Sequence, residues 1–167
     1  MKNNIALIAL LIFITKTLNA QHMHSVDQTV TQLFVHTDER NWEEVKNCFA
    51  TKVLLDYTSM AGGSPAELSP EEIVSNWKTI LPGFEHTHHQ VGNFLFSSEE
   101  NTAHVFCYGT ATHYLTDDGG NVWTVVGTYD FSLIREGIDW KIKEMKFNFK
   151  YQDGNMALPQ KAVQNLK

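Results

Sequence analysis

Four long runs of β-branched and aromatic residues, separated by short polar turns, fill the second half of the chain. The runs lie near residues 87–97, 102–115, 122–135 and 139–150. The intervening turns, near residues 97–101, 116–121 and 136–139, are polar or contain glycine. Turns this short join neighbouring antiparallel strands. The pattern therefore predicts an antiparallel meander of four strands.

Helical patterns precede the meander. Apolar residues spaced by four, three and one predict a helix over residues 25–37, and Asn41 is a natural N-cap for a short second helix. Ser69, followed by Pro70, has the pattern of a capping box that starts a third helix. A strand over residues 52–59 lies between the second and third helices.

This order of elements, with helices clustered before the sheet, indicates the α+β class. We expect a cone-shaped barrel in which a strongly curved, mostly antiparallel sheet wraps around three N-terminal helices. The glycine-rich loop over residues 60–68 is positioned to lie over its mouth. Such a cone can enclose a small apolar ligand.

The first twenty residues have the layout of a secretory signal peptide. Lys2 supplies positive charge, the apolar run over residues 5–14 is too short to span a bilayer, and a small residue ends the segment. An uncleaved N-terminal anchor is the alternative. We expect an exported protein, periplasmic or secreted, without membrane attachment after cleavage. The domain then covers residues 21–155, and residues 156–167 form a loosely held polar tail.

Composition narrows the functional classes. A chain of 167 residues with a net charge of −6 and no basic run is a poor nucleic-acid binder. Cys48 and Cys107 lie in a predicted helix and a predicted strand, where we expect two free buried thiols although export permits a disulfide. No cysteine spacing indicates a structural zinc site.

Imidazoles and a carboxylate mark the candidate site. His88 and His89 open the first meander strand, and His113 lies on the next strand. Asp56 and Tyr57 close an earlier strand. Two histidines and a carboxylate on neighbouring strands predict an acid/base pocket, because imidazole exchanges protons near neutral pH.

Three segments carry a family resemblance. The strand Phe49–Ser59, the segment Thr87–Asn93 and the segment Ala111–Tyr114 resemble those of SnoaL-like domains in the nuclear transport factor 2-like superfamily. The pattern is most similar to that of scytalone dehydratases, and the resemblance covers roughly residues 26–153. The fold that it implies is the α+β cone already expected.

The resemblance implies catalytic residues. His89 and His113 match the two catalytic histidines, and Asp56 and the adjacent Tyr57 match the Asp and Tyr of the family's strand. We expect Asp56 to orient an imidazole ring, and Tyr57 or another phenol such as Tyr108 to hold a carbonyl oxygen. The alternation of strand residues leaves His88 as an alternative to His89, because a β-bulge would exchange them.

Further residues are candidates for contacting a ligand. The predicted ligand-binding residues are His88, Asn93, Trp77, Tyr108 and Asp130. We expect neither a cofactor nor a metal, although a zinc site formed by His86, His88 and His113 is a minor alternative.

Two functions follow from this site. The first is a cofactor-independent lyase, isomerase or hydrolase that acts on a small apolar or cyclic molecule through histidine–aspartate acid/base chemistry. The alternative is a non-catalytic ligand-binding or dimerisation module of the same fold. A hydrogen bond between Asp56 and a histidine inside the cavity would favour the enzyme, and separation of the two would favour the binding module. Aromatic residues on the long strands are consistent with a homodimer.

Overall fold

The computed structural model describes residues 26–167. The predicted signal peptide over residues 1–20 lies outside the described residues and stays a prediction. The helices of the described chain are α1 (residues 26–38), α2 (Trp42–Asn47), α3 (Thr58–Ala61), α4 (Pro70–Lys78) and α5 (Leu158–Asn165). The strands are β1 (Phe49–Asp56), β2 (Ala66–Leu68), β3 (His86–Ser98), β4 (Thr102–Tyr114), β5 (Val122–Glu136) and β6 (Asp139–Gly154).

The strands form one mixed sheet in the order β2-β1-β6-β5-β4-β3. β1 pairs with β6 in parallel, and the other neighbours are antiparallel. The α+β class and the four-stranded meander are confirmed. The sheet is not a closed barrel, because β2 and β3 are its two edges.

Alternation along the long strands produces the core. One face of β4 and β5 is buried, and their other face is partly exposed. The inward side chains pack against the apolar stripes of α1 and α4, and each fully buried aliphatic or aromatic side chain contributes about 1.5–3 kcal/mol to stability. Fully buried members of this core include Val30, Leu33, Ile73, Val105, Phe131, Leu133, Ile142 and Met145.

Helix capping agrees only partly with expectation. Ser69 Oγ accepts from the backbone N–H of Glu72, whose carboxylate accepts from the Ser69 N–H, so the predicted capping box at α4 is present. Asn41 precedes α2 without any side-chain capping hydrogen bond. The first turn of α2 depends instead on its backbone and on Val45, which is buried in the core.

The C-terminal segment differs from the predicted loose tail. α5 buries Leu158 and Ala162 completely against the turn Leu81–Gly83 that follows α4. Asn165 Nδ2 donates to the Gly83 carbonyl, at 3.2 Å. The sequence of residues 156–167 did not predict this helix, because only two of its side chains are apolar and buried.

The predicted loop over residues 60–68 is also partly ordered into regular structure. α3 forms its beginning and β2 its end, where Leu68 pairs with Val53 of β1. No helix among residues 26–167 has the length and apolarity that a membrane crossing would require.

The two cysteines are free and buried, as predicted. Burial raises the pKa of the Cys48 thiol to about 11 and that of the Cys107 thiol to about 12. Both thiols are therefore protonated and unreactive at neutral pH.

Candidate active site

The end of α1 is held against the start of β3. Asp38 is the last residue of α1, and Arg40 then takes a left-handed backbone conformation with φ of 57° that turns the chain away. Arg40 Nη2 donates to the Phe84 carbonyl at 2.6 Å, two residues before β3 begins. This link places the carboxylate of Asp38 beside the edge strand of the sheet.

Asp38 makes two hydrogen bonds with His89. The ring nitrogen Nδ1 of His89 lies 2.7 Å from Asp38 Oδ1, and the backbone N–H of His89 donates to Asp38 Oδ2 at 2.6 Å. The backbone bond uses a donor that an edge strand would otherwise leave unpaired. Both side chains are mostly buried, with exposed fractions of 14% for Asp38 and 12% for His89.

The electrostatics of the pair favour an ionised Asp38. Burial raises the pKa of Asp38, but its hydrogen bonds with His89 and Thr87 outweigh burial, so the net pKa is below 3.8. An ionised carboxylate only accepts hydrogen bonds, so Nδ1 of His89 carries the proton. The second ring nitrogen, Nε2, is then the free proton acceptor of the neutral ring.

An apolar cavity of about 250 Å³ lies next to this pair. His89 is its one titratable imidazole or carboxyl side chain among the described residues, and the other lining residues are mainly aromatic and aliphatic. Phe34 stacks on the His89 ring with centroids 5.2 Å apart. The walls are completed by Thr37, Tyr57, Trp77, Ile80 and Leu81.

His113 lies behind His89 and does not line this cavity. It is 5% exposed, and its ring lies edge-on to that of His89 with centroids 5.9 Å apart. Its Nδ1 is 3.3 Å from the Trp123 carbonyl, which accepts, so Nδ1 carries the proton. Burial, with repulsion from His89, lowers the pKa of His113 to about 4. The ring is therefore neutral at physiological pH.

Two phenols lie close to the Asp38–His89 pair. Tyr57 lines the cavity and packs against Phe147, and Tyr129 packs between Phe34 and Phe147. Burial raises the pKa of both phenols well above 10. Both O–H groups therefore stay protonated and can donate hydrogen bonds.

Asp56 does not have the expected position. Its Oδ1 accepts from the backbone N–H and the hydroxyl of Thr58, at 2.9 and 2.6 Å, and Lys146 Nζ lies 3.9 Å from Oδ2. The carboxylate therefore stabilises the start of α3 instead of orienting a histidine. Asp56 bonds to no histidine among residues 26–167, and this separation, taken alone, favours the binding module. The carboxylate that does bond to a histidine beside the cavity is Asp38, which the sequence did not single out. The available signal was an acidic residue at the C-terminal end of a helix, where the helix dipole disfavours negative charge.

Comparison with protein families decides the identity of this fold. A sequence profile of the SnoaL-like domain matches residues 19–146, which is most of the chain. The chain belongs to the SnoaL-like domain family. No curated protein sequence matches it significantly.

Solved structures share the fold of this SnoaL-like domain. Kfla4162 of Kribbella flavida has a TM-score of 0.80 and 19% identity, over 85% of this chain and 99% of its own. A proposed scytalone dehydratase of Novosphingobium aromaticivorans has a TM-score of 0.69 and 18% identity, over 82% and 89%. The LinA-type3 hexachlorocyclohexane dehydrochlorinase of Novosphingobium barchaimii has a TM-score of 0.69 and 9% identity, over 83% and 92%. At these identities the likeness establishes the fold alone.

Four of the predicted ligand-binding residues of the SnoaL-like domain lie away from the apolar cavity. His88 is exposed on β3, on the face opposite to His89. Asn93 is exposed in a β-bulge with φ of 55°, a left-handed conformation that asparagine tolerates. Tyr108 is on the outer sheet face under Lys150 Nζ, which lies 4.8 Å from the ring centroid. Only Trp77 of the predicted set lines the cavity.

Asp130 is the fourth of these residues. Its carboxylate accepts from Asn148 Nδ2 at 2.7 Å and lies 3.5 Å from His104 Nε2, both on the outer face of the sheet. A ligand in the apolar cavity of the SnoaL-like domain cannot reach it, because the sheet itself intervenes.

The zinc alternative does not fit the strand geometry. His86 and His88 point to one face of β3, whereas His113 is buried beside the opposite face. Among residues 26–167 of the SnoaL-like domain, no three His, Cys, Asp or Glu side chains are grouped so that they could hold a metal.

Proposed function

We propose that this SnoaL-like domain is a cofactor-independent lyase or isomerase that uses the Asp38–His89 pair as its base. The observation that carries the proposal is the 2.7 Å contact between Asp38 Oδ1 and His89 Nδ1, at the wall of an apolar cavity. A carboxylate in this position fixes the tautomer of the imidazole and stabilises its protonated form.

The chemistry follows from the tautomer. His89 Nε2 takes a proton from a carbon atom of the substrate, and the electron pair of the broken C–H bond forms a new double bond. In a lyase reaction, formation of this double bond expels a leaving group from the neighbouring carbon atom. The leaving group departs with the electron pair of the bond that breaks. Asp38 stabilises the imidazolium, and Tyr57 is placed to donate a hydrogen bond to a substrate oxygen. The imidazolium then returns its proton to the leaving group or to another carbon.

The cavity supports a small apolar or cyclic substrate. Its volume of about 250 Å³ is slightly below the usual range for ligand sites, which fits a small molecule. Phe34 and Trp77 offer flat walls to a ring, and a low-polarity surrounding strengthens the charge interactions of the pair.

The test uses nitrobenzisoxazole, a flat bicyclic probe that opens when a base removes its single ring proton next to nitrogen. The N–O bond breaks as the proton leaves, and the product is a coloured phenolate. We expect Asp38→Asn and His89→Gln each to lower the rate of ring opening by about 10²-fold or more. The measurement is the absorbance of the phenolate against time, with circular dichroism to verify folding.

Asp56→Asn is the matched control, because it makes the same chemical change at a carboxylate outside the cavity. Its rate should equal that of the unmodified protein. If the folded protein binds the probe in the cavity but opens it no faster than the Asp38→Asn variant does, the enzyme proposal is wrong. The domain is then the alternative, a ligand-binding module.

A further inference from the structure

A second cavity, of about 340 Å³, lies on the opposite side of α1. Gln28, Gln32 and His36 follow one another at a spacing of four, so they share one face of α1 and form one wall. Trp140 and Lys141 at the start of β6 form the facing wall, and α2 closes the cavity between them. We call this the polar cavity.

The polar cavity is distinct from the catalytic one. The two have no lining residue in common. They lie on different faces of the same helix, where Thr37 lines the apolar cavity and the adjacent His36 lines the polar one. Binding in the polar cavity therefore does not depend on the proposed chemistry of Asp38 and His89.

Two side chains in its walls carry a buried nitrogen atom that has no hydrogen-bond partner among residues 26–167. Trp140 is 4% exposed, and its Nε1 has no acceptor among residues 26–167. The Nδ1 atom of His36 is likewise buried and unpaired. By contrast, Trp123 Nε1 donates to Gln152 Oε1 at 3.0 Å. A buried donor without an acceptor destabilises a fold by about 1–3 kcal/mol, which an acceptor on a ligand would recover.

The chemistry of the walls defines the ligand. The Trp140 indole only donates, Glu44 and Asp139 when ionised only accept, and the glutamine amides do both. An anionic ligand would satisfy the indole but would also face two carboxylates, with Lys141 already engaged at the Asn47 carbonyl, 2.6 Å from its Nζ. Hydroxyl groups both donate and accept without charge.

We propose that the polar cavity binds a small neutral polyhydroxylated molecule, of the size of a monosaccharide or a cyclic polyol. One hydroxyl oxygen accepts from Trp140 Nε1, and hydroxyl protons are donated to the carboxylates of Glu44 and Asp139. Gln32 extends from α1 to a further hydroxyl. The cavity volume falls in the range usual for small-molecule sites.

The experiment follows the indole N–H signals of the four tryptophans in a proton–nitrogen correlation spectrum. The probes are glucose and myo-inositol, with acetate as a small anion, and Trp140→Phe assigns the relevant signal. We expect at least one of the two polyols to shift the Trp140 signal saturably, while the signals of Trp42, Trp77 and Trp123 stay in place.

Two variants make the test specific. Gln32 is exposed on α1, so Gln32→Ala should fold normally and weaken binding of the polyol by about fivefold, the value of one hydrogen bond. Thr31→Ala is the matched control, since Thr31 is exposed on the same helix, its hydroxyl donates to the Asp27 carbonyl and its side chain does not line the cavity. It should leave binding unchanged.

The remaining outcomes overturn the proposal. The proposal is wrong if neither polyol shifts the Trp140 signal saturably. It is also wrong if all four indole signals shift equally. Saturation by acetate in preference to both polyols would show that the site takes an anion, contrary to the argument from Glu44 and Asp139. Equal binding by the Gln32→Ala variant would remove α1 from the site.

Discussion

Asp38 holds a negative charge at the end of α1 where the helix dipole opposes it. Two hydrogen bonds from His89, one from the ring and one from the backbone, compensate for that position. A carboxylate held in this way remains a strong hydrogen-bond acceptor. Its hydrogen bond with the imidazole ring is strongest when the ring is positively charged. The placement therefore suits the proposed role of His89 as a base that takes up a proton and later releases it.

His113 makes the stability of the fold depend on pH. Its pKa is about 4 in the folded protein against 6.5 in the unfolded chain, so below pH 6.5 the unfolded state binds the additional proton. The stabilisation is complete above pH 6.5 and is lost as the pH falls towards 4. We expect a loss of about 2–3 kcal/mol from this residue between pH 7 and pH 4.5. Urea unfolding at the two pH values measures it.

The variant His113→Gln has no titrating ring, so the difference in unfolding free energy between the two pH values should shrink by about that amount. His88→Gln, at an exposed histidine, is the control and should keep the full difference. An unchanged pH dependence in the His113→Gln variant would contradict the assignment.

At the scale of elements, local sequence patterns predicted those helices and strands that local interactions determine. Alternation and turn residues located β3 to β6 within a few residues, and the capping box located α4. The contact of Asp38 with His89 joins residues 51 apart in the chain and depends on how α1 ends against an edge strand, which no local pattern encodes. The side of β3 on which His89 lies followed from the family resemblance.

Other misses have equally specific causes. A register shift between Gly92 and Leu95 exchanges the faces of β3, so Phe94 packs on the core while Leu95 is 68% exposed. In a strand that alternates strictly, Leu95 and not Phe94 would lie on the same face as His89. α5 was missed because Leu158 and Ala162 are its only buried residues, a signal too weak to stand out in a polar segment.

The docking of α5 leads to a prediction about Gly83. A Cβ atom there would lie 1.9 Å from the Ala162 carbonyl oxygen, so Gly83→Ala must displace α5 or the turn that it covers. We expect a loss of roughly 1–3 kcal/mol of stability and a lower Tm in thermal denaturation. Gly92→Ala is the control, because nothing lies within 4 Å of its added Cβ. Equal Tm values for the two variants would contradict tight docking.

At the scale of the whole molecule, the outer sheet face is exposed and aromatic. Tyr108 and Tyr151 are 49% and 56% exposed on this face, and Phe106 lies beside Tyr108 with ring centroids 5.8 Å apart. Trp123 and Tyr129, two aromatic residues of β5, are buried in the core. We propose that a second copy of the chain covers the outer face in a homodimer.

Light scattering after size-exclusion chromatography tests the homodimer. The unmodified protein should have twice the mass of the chain, and Tyr108→Glu should shift it to the monomer, because a dimer would bury the new charge against an apolar face. Ile138→Glu is the control, at an 85% exposed residue in the turn between β5 and β6. A monomeric unmodified protein, or a dimer that tolerates Tyr108→Glu, would contradict the proposal.

The parallel pairing of β1 with β6 sets the order in which the molecule can be completed. Leu54 pairs with Glu144, so β1 has no partner on that side until β6 has been synthesised. Closing so long a loop slows folding, and until it closes β1 and β2 present an unpaired edge to other chains. The meander of β3 to β6 contains mainly local contacts and can form ahead of it. The meander of β3 to β6 is therefore expected to form before β1 and β2 join it, and folding intermediates expose the apolar side of β1.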